Sequence, residues 1–438
     1  MKLETAGNSQ STEYYFVSDL HFGGDGQLQV CDYTEEFIAF LRGLAAREAD
    51  VELIIAGDTF GFWELTGVEG TAQLEEIIKH HTRIFEQFRA TGEKIKITLM
   101  VGNHDYDLAC YPEFVSMLAS YNITLDLALA VIRDLKGRKI WVEHGQQVDP
   151  YNAATDYGNK NALPLGYFIT ESLVSGASKY SVFGASDWLK DIRSVDVRQI
   201  PDWLISNYFY NEMNVFLRWL LLPFLLLLTV TLLALFAQTL KFLGIFDVNI
   251  LLDNPFIRAL GLAGDVLRWI LIVSMTVWFF VLVISVPLYF VYRDIRGTLF
   301  RMQIFPTFKS APTDEANNIY LDRARLIFKE NPEVCAYIFG HTHDAFLVEE
   351  PDGRVIINTG TWLKILKRVS VRFGLLPGIY YPTFRLNYFK IYSENEKIIV
   401  EYVEIPKEPK EKLTLLQRFL IIGKKPGLEK PIPLKTVL

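Results

Sequence analysis

Five short segments of this chain hold residue types that could do chemistry together: Asp19-Leu20-His21, Gly57-Asp58, Gly102-Asn103-His104-Asp105, His144-Gly145 and Gly340-His341-Thr342-His343. They supply carboxylates, imidazoles and an amide, which are oxygen and nitrogen donors for divalent cations. Taken alone, an Asp or His at such a place is usually a turn or capping residue. The combination is different. The chain has seven histidines, and five of them fall in these segments. His80 and His81 remain, in a predicted surface helix, and read as ordinary surface residues. A mixed nitrogen and oxygen set suits Mn, Fe, Zn or Co better than Ca, and ligand types alone do not rank those four. Cys31, Cys110 and Cys335 lie far apart without a CxxC spacing. That argues against a disulfide framework or a structural zinc site and for reduced, buried thiols.

Each segment ends an apolar run, so strands must position it. YYFVSDLHF, VELIIAGDTF and KIKITLMVGNHD read as buried strands closing in polar loops. Amphipathic helices fall between them: TEEFIAFLRGLAAREAD, with Thr34 as its cap, and AQLEEIIKHHTRIFEQFRA. RKIWVEHGQ and EVCAYIFGHTHD repeat the strand pattern, the latter after a helix over 317–329. Strand, loop and helix in succession predict an α/β sheet with ligands at the carboxyl ends of its strands. Alternation along a strand points residues i and i+2 the same way, as for Asp19 and His21. RVIINTGTW and FRLNYFKIYSENEKIIVEYVEI read as later strands, with a turn at 393–396.

The pattern breaks between His144 and His341. Residues 150–210 are rich in aromatics, among them Tyr151, Tyr157, Tyr167, Phe168, Tyr180 and Trp188, and read as helices and loops that form either a helical lid or an ordinarily packed helical subdomain. Two uncharged apolar runs follow, Trp219 to Leu240 and Trp269 to Tyr292, bracketed by basic residues. About 20 residues at 1.5 Å rise cross the hydrocarbon, so both runs are long enough to span. Pro223 and Pro287 are compatible with membrane helices. Two spans form a hairpin that returns the chain to the same side, as ligands from both flanks require. Arg218, Arg293, Arg296 and Arg301 flank it, while the charges of 241–268 balance. This bias places the catalytic halves in the cytoplasm. The expected organisation is a first enzyme half over 14–149, a lid over 150–214, a transmembrane hairpin over 215–296, a second half over 297–405 and a basic tail over 406–438.

Half of the 438 residues are hydrophobic, high for a soluble enzyme. The formal charge of −7 argues against a nucleic-acid binder. The opening MKLETAGNSQSTE lacks the apolar core of a signal peptide. In the tail, LTLLQRFLII reads as a short amphipathic helix among eight Lys or Arg and three Glu. Such a segment suits an anionic membrane surface or loose packing on the domain.

Together the motifs DLH, GD, GNHD, HG and GHTH resemble those of the calcineurin-like metallophosphoesterase family, with no element missing. The resemblance covers roughly 14–150 and 315–405. It implies a four-layer α/β/β/α sandwich holding two divalent ions, manganese first among the candidates. By the same resemblance Asp58 bridges both ions, Asp19, His21 and His343 complete one, and Asn103, His144 and His341 complete the other. His104 then approaches the phosphate as proton donor, Asp105 orients it, and the nucleophile is a water activated by both ions. The insertion's place is similar to the lid of UDP-2,3-diacylglucosamine pyrophosphohydrolases. That family has Arg where this chain has His104, and it lacks a hairpin. The architecture therefore carries over and the substrate does not. An amphiphilic, lipid-linked phosphate fits a membrane-held site. The alternatives are a membrane-anchored metal-binding scaffold with little turnover, or a transporter component with a phosphatase appendage.

Overall fold

The structure, a computed structural model, describes residues 12–23, 31–65, 67–168, 170–171, 191, 194–195, 199–245, 249, 252, 255–301, 318–371, 376–410, 412–424 and 431–438. Within 219–228 and 292–301 only the backbone of most residues is described. Tyr180, Trp188 and nine side chains of the first apolar run, 219–226 and 228, thus lie outside the described residues.

The chain divides into two compact units, 1–207 with 313–438, and 208–312. In the first, two sheets stack face to face. One runs in the order Lys435–Val437, Lys397–Ile405, Leu386–Glu394, Glu13–Val17, Val51–Ile55, Lys96–Met100, Thr124–Asp126. Its last four strands are parallel. The other runs Phe346–Glu349, Val355–Asn358, Val334–Phe339, Arg138–Glu143, Ala130–Leu135, with its three middle strands parallel.

Alternation decides which layer each side chain joins. Along Glu13–Val17, Tyr15 and Val17 enter a core with Phe37, Leu41 and Phe88 of the outer helices. Tyr14 and Phe16 enter the space between the sheets, with Ile140, Val142, Ile338 and Ile357. Strands buried on both faces read as continuous apolar runs, as these do. The helix Asn318–Glu330 covers the far side of the second sheet through Tyr320, Ile327 and Phe328. The layers are therefore helix, sheet, sheet, helix.

Three local expectations change. Thr34 is the first helical residue of Thr34–Ala45, not its cap; Tyr33 precedes it without a side-chain cap bond. The long second helix is two, Thr71–His80 and Thr82–Gly92, broken at His81. His81 is consequently turned inward, 6% exposed, with its ring 5.6 Å from that of Phe22. The tail helix does form, over Leu415–Ile421, with a Thr414–Gln417 capping box.

The two long helices of the second unit, Val215–Phe242 and Leu262–Arg301, pack through Ala234, Leu271 and Met275. Pro287 sits inside the second without ending it. Leu262–Val291 is long and apolar enough to cross a membrane. In the first helix the described apolar stretch is Thr229–Phe242, shorter than a span.

Candidate metal centre

The carboxyl ends of the parallel strands in both sheets carry the site. Val17, Ile55 and Met100 end strands of the first sheet, and the chain turns at once into the Asp19, Asp58 and Asn103 segments. Glu143 and Phe339 end strands of the second and lead to His144 and His341.

The turns are sharp. Asp19, His21, Asp58, His341 and His343 all have positive φ, between 48° and 67°. This left-handed region is sparsely used by residues with a side chain, and holding one there is costly. It corrects the expectation from strand alternation. Asp19 and His21 lie beyond their strand, and the turn, not the pleat, aims them. The motif glycines allow these turns to close. A Cβ on Gly102 would collide with the Asp58 carboxylate and amide, and one on Gly340 with Ser18 and Asp19.

Among the described residues three donor groups result: Asp19 with His21 and His343, Asp58 with His144 and His341, and His21 with Glu64 and His104. In the first, His343 Nε2 lies 3.1 Å from His21 Nε2 and 3.2 Å from Asp19 Oδ1. In the second, His144 Nε2 lies 3.2 Å from Asp58 Oδ2 and 3.2 Å from Asn103 Oδ1. Asn103 Oδ1 is also 2.9 Å from His341 Nδ1. Asp58 Oδ2 stands between the groups, 3.8 Å from His21 Nε2. Its other oxygen, Oδ1, accepts the His104 N–H at 2.8 Å.

These spacings suit cations. Donors about 2.0–2.2 Å from a shared ion stand roughly 3 Å apart. Lone pairs facing one another at that range repel unless a proton or a cation lies between them. Asp19 Oδ1 is moreover buried with no hydrogen-bond partner among the described residues. His144 shows the same demand for positive charge. Burial alone would lower its pKa, but Asp58 and Asp19 outweigh that and hold it at about 10. Burial would likewise raise Asp58, yet His144, His104 and His21 keep it well below the usual carboxylate range. A proton bound there stands where an ion is the natural ligand. His144 Nδ1 is held by the Ala56 carbonyl at 2.8 Å, which leaves Nε2 for the site.

His104 sits beside the first group, its ring 4.7 Å from that of His21 and its side chain 21% exposed. Asp105, expected to orient it, is occupied elsewhere. Its Oδ2 accepts the Thr59 and Phe60 N–H groups and its Oδ1 that of Gly102, so it pins two ligand-bearing loops together. Burial and the Asp58 charge push its pKa up to about 7. The carboxylate facing His104 belongs to Glu64, fully buried, with Oε1 2.8 Å from Nδ1. Glu64 was not singled out in the sequence; its signal is one acid inside the apolar run FGFWEL. Trp63 covers the same imidazole, ring centroids 4.4 Å apart. Tyr167 of the insertion meets Trp63 at 5.8 Å.

Residues 13–214 match the family described as calcineurin-like phosphoesterase. None of the curated proteins matches the chain. Among solved structures it is similar to a conserved uncharacterized protein of Streptococcus pneumoniae TIGR4 described as a predicted phosphoesterase. The identity is 9% over 90% of each chain, with a TM-score of 0.28. It is also similar to a zinc-complexed Vps29 of Entamoeba histolytica, at 9% identity over 90% of this chain and 92% of that one, TM-score 0.26. The finer resemblance to UDP-2,3-diacylglucosamine pyrophosphohydrolases is not among what these comparisons support.

Proposed function

We propose that this chain, which carries a calcineurin-like phosphoesterase domain over residues 13–214, hydrolyses a phosphate ester or pyrophosphate bond at a dinuclear metal centre. The observation that supports this most directly is the pair of donor groups facing each other across Asp58. Asp19, His21 and His343 would hold one ion, Asn103, His144 and His341 the other, with Asp58 between. Two divalent ions there would supply Lewis-acid stabilisation of the phosphoryl oxygens and a water nucleophile near neutral pH.

The chain's own groups do the rest. Positive-φ turns hold the ligands in place before substrate arrives, so little reorganisation is needed during reaction. His104 Nδ1 faces Glu64, which leaves Nε2 to donate a proton to the departing oxygen. Asp105 fixes the loop on which Asn103 and His104 ride. Trp63 shields the imidazole from water on one face.

The substrate in this reading is amphiphilic, and the unit 208–312 anchors the chain in a bilayer as a two-helix hairpin with the catalytic halves in the cytoplasm. The long apolar helix Leu262–Val291 supports the anchor. Confinement to a surface raises the effective concentration of a lipid-borne phosphate.

The test is Mn-dependent release from an aryl phosphate monoester, a diester and a nucleotide-sugar pyrophosphate side by side. Turnover of at least one is expected, and none would favour a metal-binding scaffold. A lipid phosphate hydrolysed no faster than its soluble headgroup, both beside bilayers, would remove the lipid part.

A further inference from the structure

The second donor group is braced by residues that belong to neither sheet. His341 presents Nδ1 to Asn103, and its Nε2 meets Asp149 Oδ2 at 2.9 Å. Asp149 is the last residue of the first enzyme half as read from the sequence, and the insertion turns away from it. Its carboxylate is fixed in turn: Oδ1 accepts the Tyr151 N–H at 2.9 Å, and Oδ2 accepts Asn152 Nδ2 at 2.7 Å. The same Asn152 accepts Asn103 Nδ2 through Oδ1 at 3.4 Å. One turn of chain, 149–152, therefore grips the side chains of His341 and Asn103 at once. The turn is tied to the insertion beyond it, since Gly166 N–H donates to the Tyr151 carbonyl at 2.9 Å. A Cβ on Gly166 would collide with Asn152 Oδ1.

Both side chains that the turn grips, His341 and Asn103, belong to the second donor group.

We infer that the turn 149–152 is a positioning element that sets the affinity of the half-site formed by Asn103, His144 and His341. The inference rests on the dinuclear reading above. Carboxylates and amides behind metal-ligating histidines fix ring orientation and raise ligand basicity, and losing one costs about 10- to 100-fold in metal affinity or activity. Asp149 and Asn152 fit that role for His341 and for Asn103. The insertion and the ion then stabilise each other: filling the half-site holds the turn, and displacing the turn weakens the half-site. Both residues act through ligands, so they are positioning residues and not catalytic ones.

The experiment is equilibrium binding of Mn²⁺ to the full chain in detergent, read by bound metal and by Mn²⁺ electron paramagnetic resonance. Wild type, Asp149→Asn and Asn152→Ala are compared, with circular dichroism verifying the fold of each. The wild type should bind two ions and show a spin-coupled pair. Each variant should keep one ion at unchanged affinity, bind the second about 10- to 100-fold more weakly, and show an uncoupled signal at low Mn²⁺. Folded variants that still bind two ions as tightly, or that weaken both steps alike, overturn the inference and leave the dinuclear reading standing. A wild type that binds no Mn²⁺ overturns both.

Discussion

Glu64 and His104 face each other at 2.8 Å, Oε1 to Nδ1, with the carboxylate wholly buried and the imidazole partly open to solvent. A buried carboxylate behind an imidazole fixes which nitrogen carries the proton toward the cleft. The expectation is that His104→Ala keeps its metals and loses about 10²–10⁴ of kcat, the usual worth of a general acid. Glu64→Gln should lose less, about 10- to 100-fold, and should shift the pH–rate profile. Steady-state kinetics over pH on an aryl phosphate checks this. Full activity in His104→Ala would remove that residue from the mechanism.

Gly102 lies so close to Asp58 that no side chain fits between them. Gly102→Ala should displace the carboxylate shared by the two donor groups. Loss of high-affinity Mn²⁺ binding should accompany a destabilisation of about 1–3 kcal/mol, the scale for overpacking. Calorimetric Mn²⁺ titration and thermal unfolding measure both. An Ala variant that binds Mn²⁺ normally would mean that Asp58 has room the structure does not show.

His81 offers a pH test away from the metal ligands. Burial, with His80 beside it, lowers its pKa from 6.5 to about 4. The unfolded chain thus takes up this proton below about pH 6.5 and the folded chain only near pH 4. Between those values the unfolded state holds more protons, so stability falls as pH falls. The loss approaches roughly 3 kcal/mol at the acid end. His81→Leu should remove that part of the acid sensitivity while changing little at pH 7.5. Unfolding midpoints of both proteins at pH 7.5 and 4.5 give the comparison; parallel declines would contradict it.

The sheet scaffold was legible because apolar runs that stop abruptly at Asp, Asn or His are strands ending at a site. The four layers came with the family resemblance, and the fold shows why they form: alternate residues of strands apolar on both faces, such as YYFV, join different cores. What sequence does not carry is tertiary direction. Asp105 and Glu64 are both acids near His104 in space. Only the fold shows that the neighbouring one in sequence pins backbone amides and the distant one meets the ring. Asp149 and Asn152 look like turn formers, which they are; their second task appears only when His341 arrives from the far end of the chain. His81 was read as a surface residue because helical periodicity was carried through a point where the helix breaks.

The apolar helix Leu262–Val291 makes a prediction of its own. The chain should stay with membranes after alkaline carbonate extraction. A charged residue such as Arg placed at Val281 should lower insertion by about 2.5–3.5 kcal/mol on a translocon scale. Full release of the unaltered chain by carbonate would refute the anchor without touching the metal site.

Anomalous diffraction from crystals grown with Mn²⁺ tests the central claim most directly. Two peaks about 3.5–4 Å apart are predicted, one among Asp19, His21 and His343, the other among Asn103, His144 and His341, with Asp58 reaching both. A single peak, or none within reach of Asp58, would contradict a dinuclear centre.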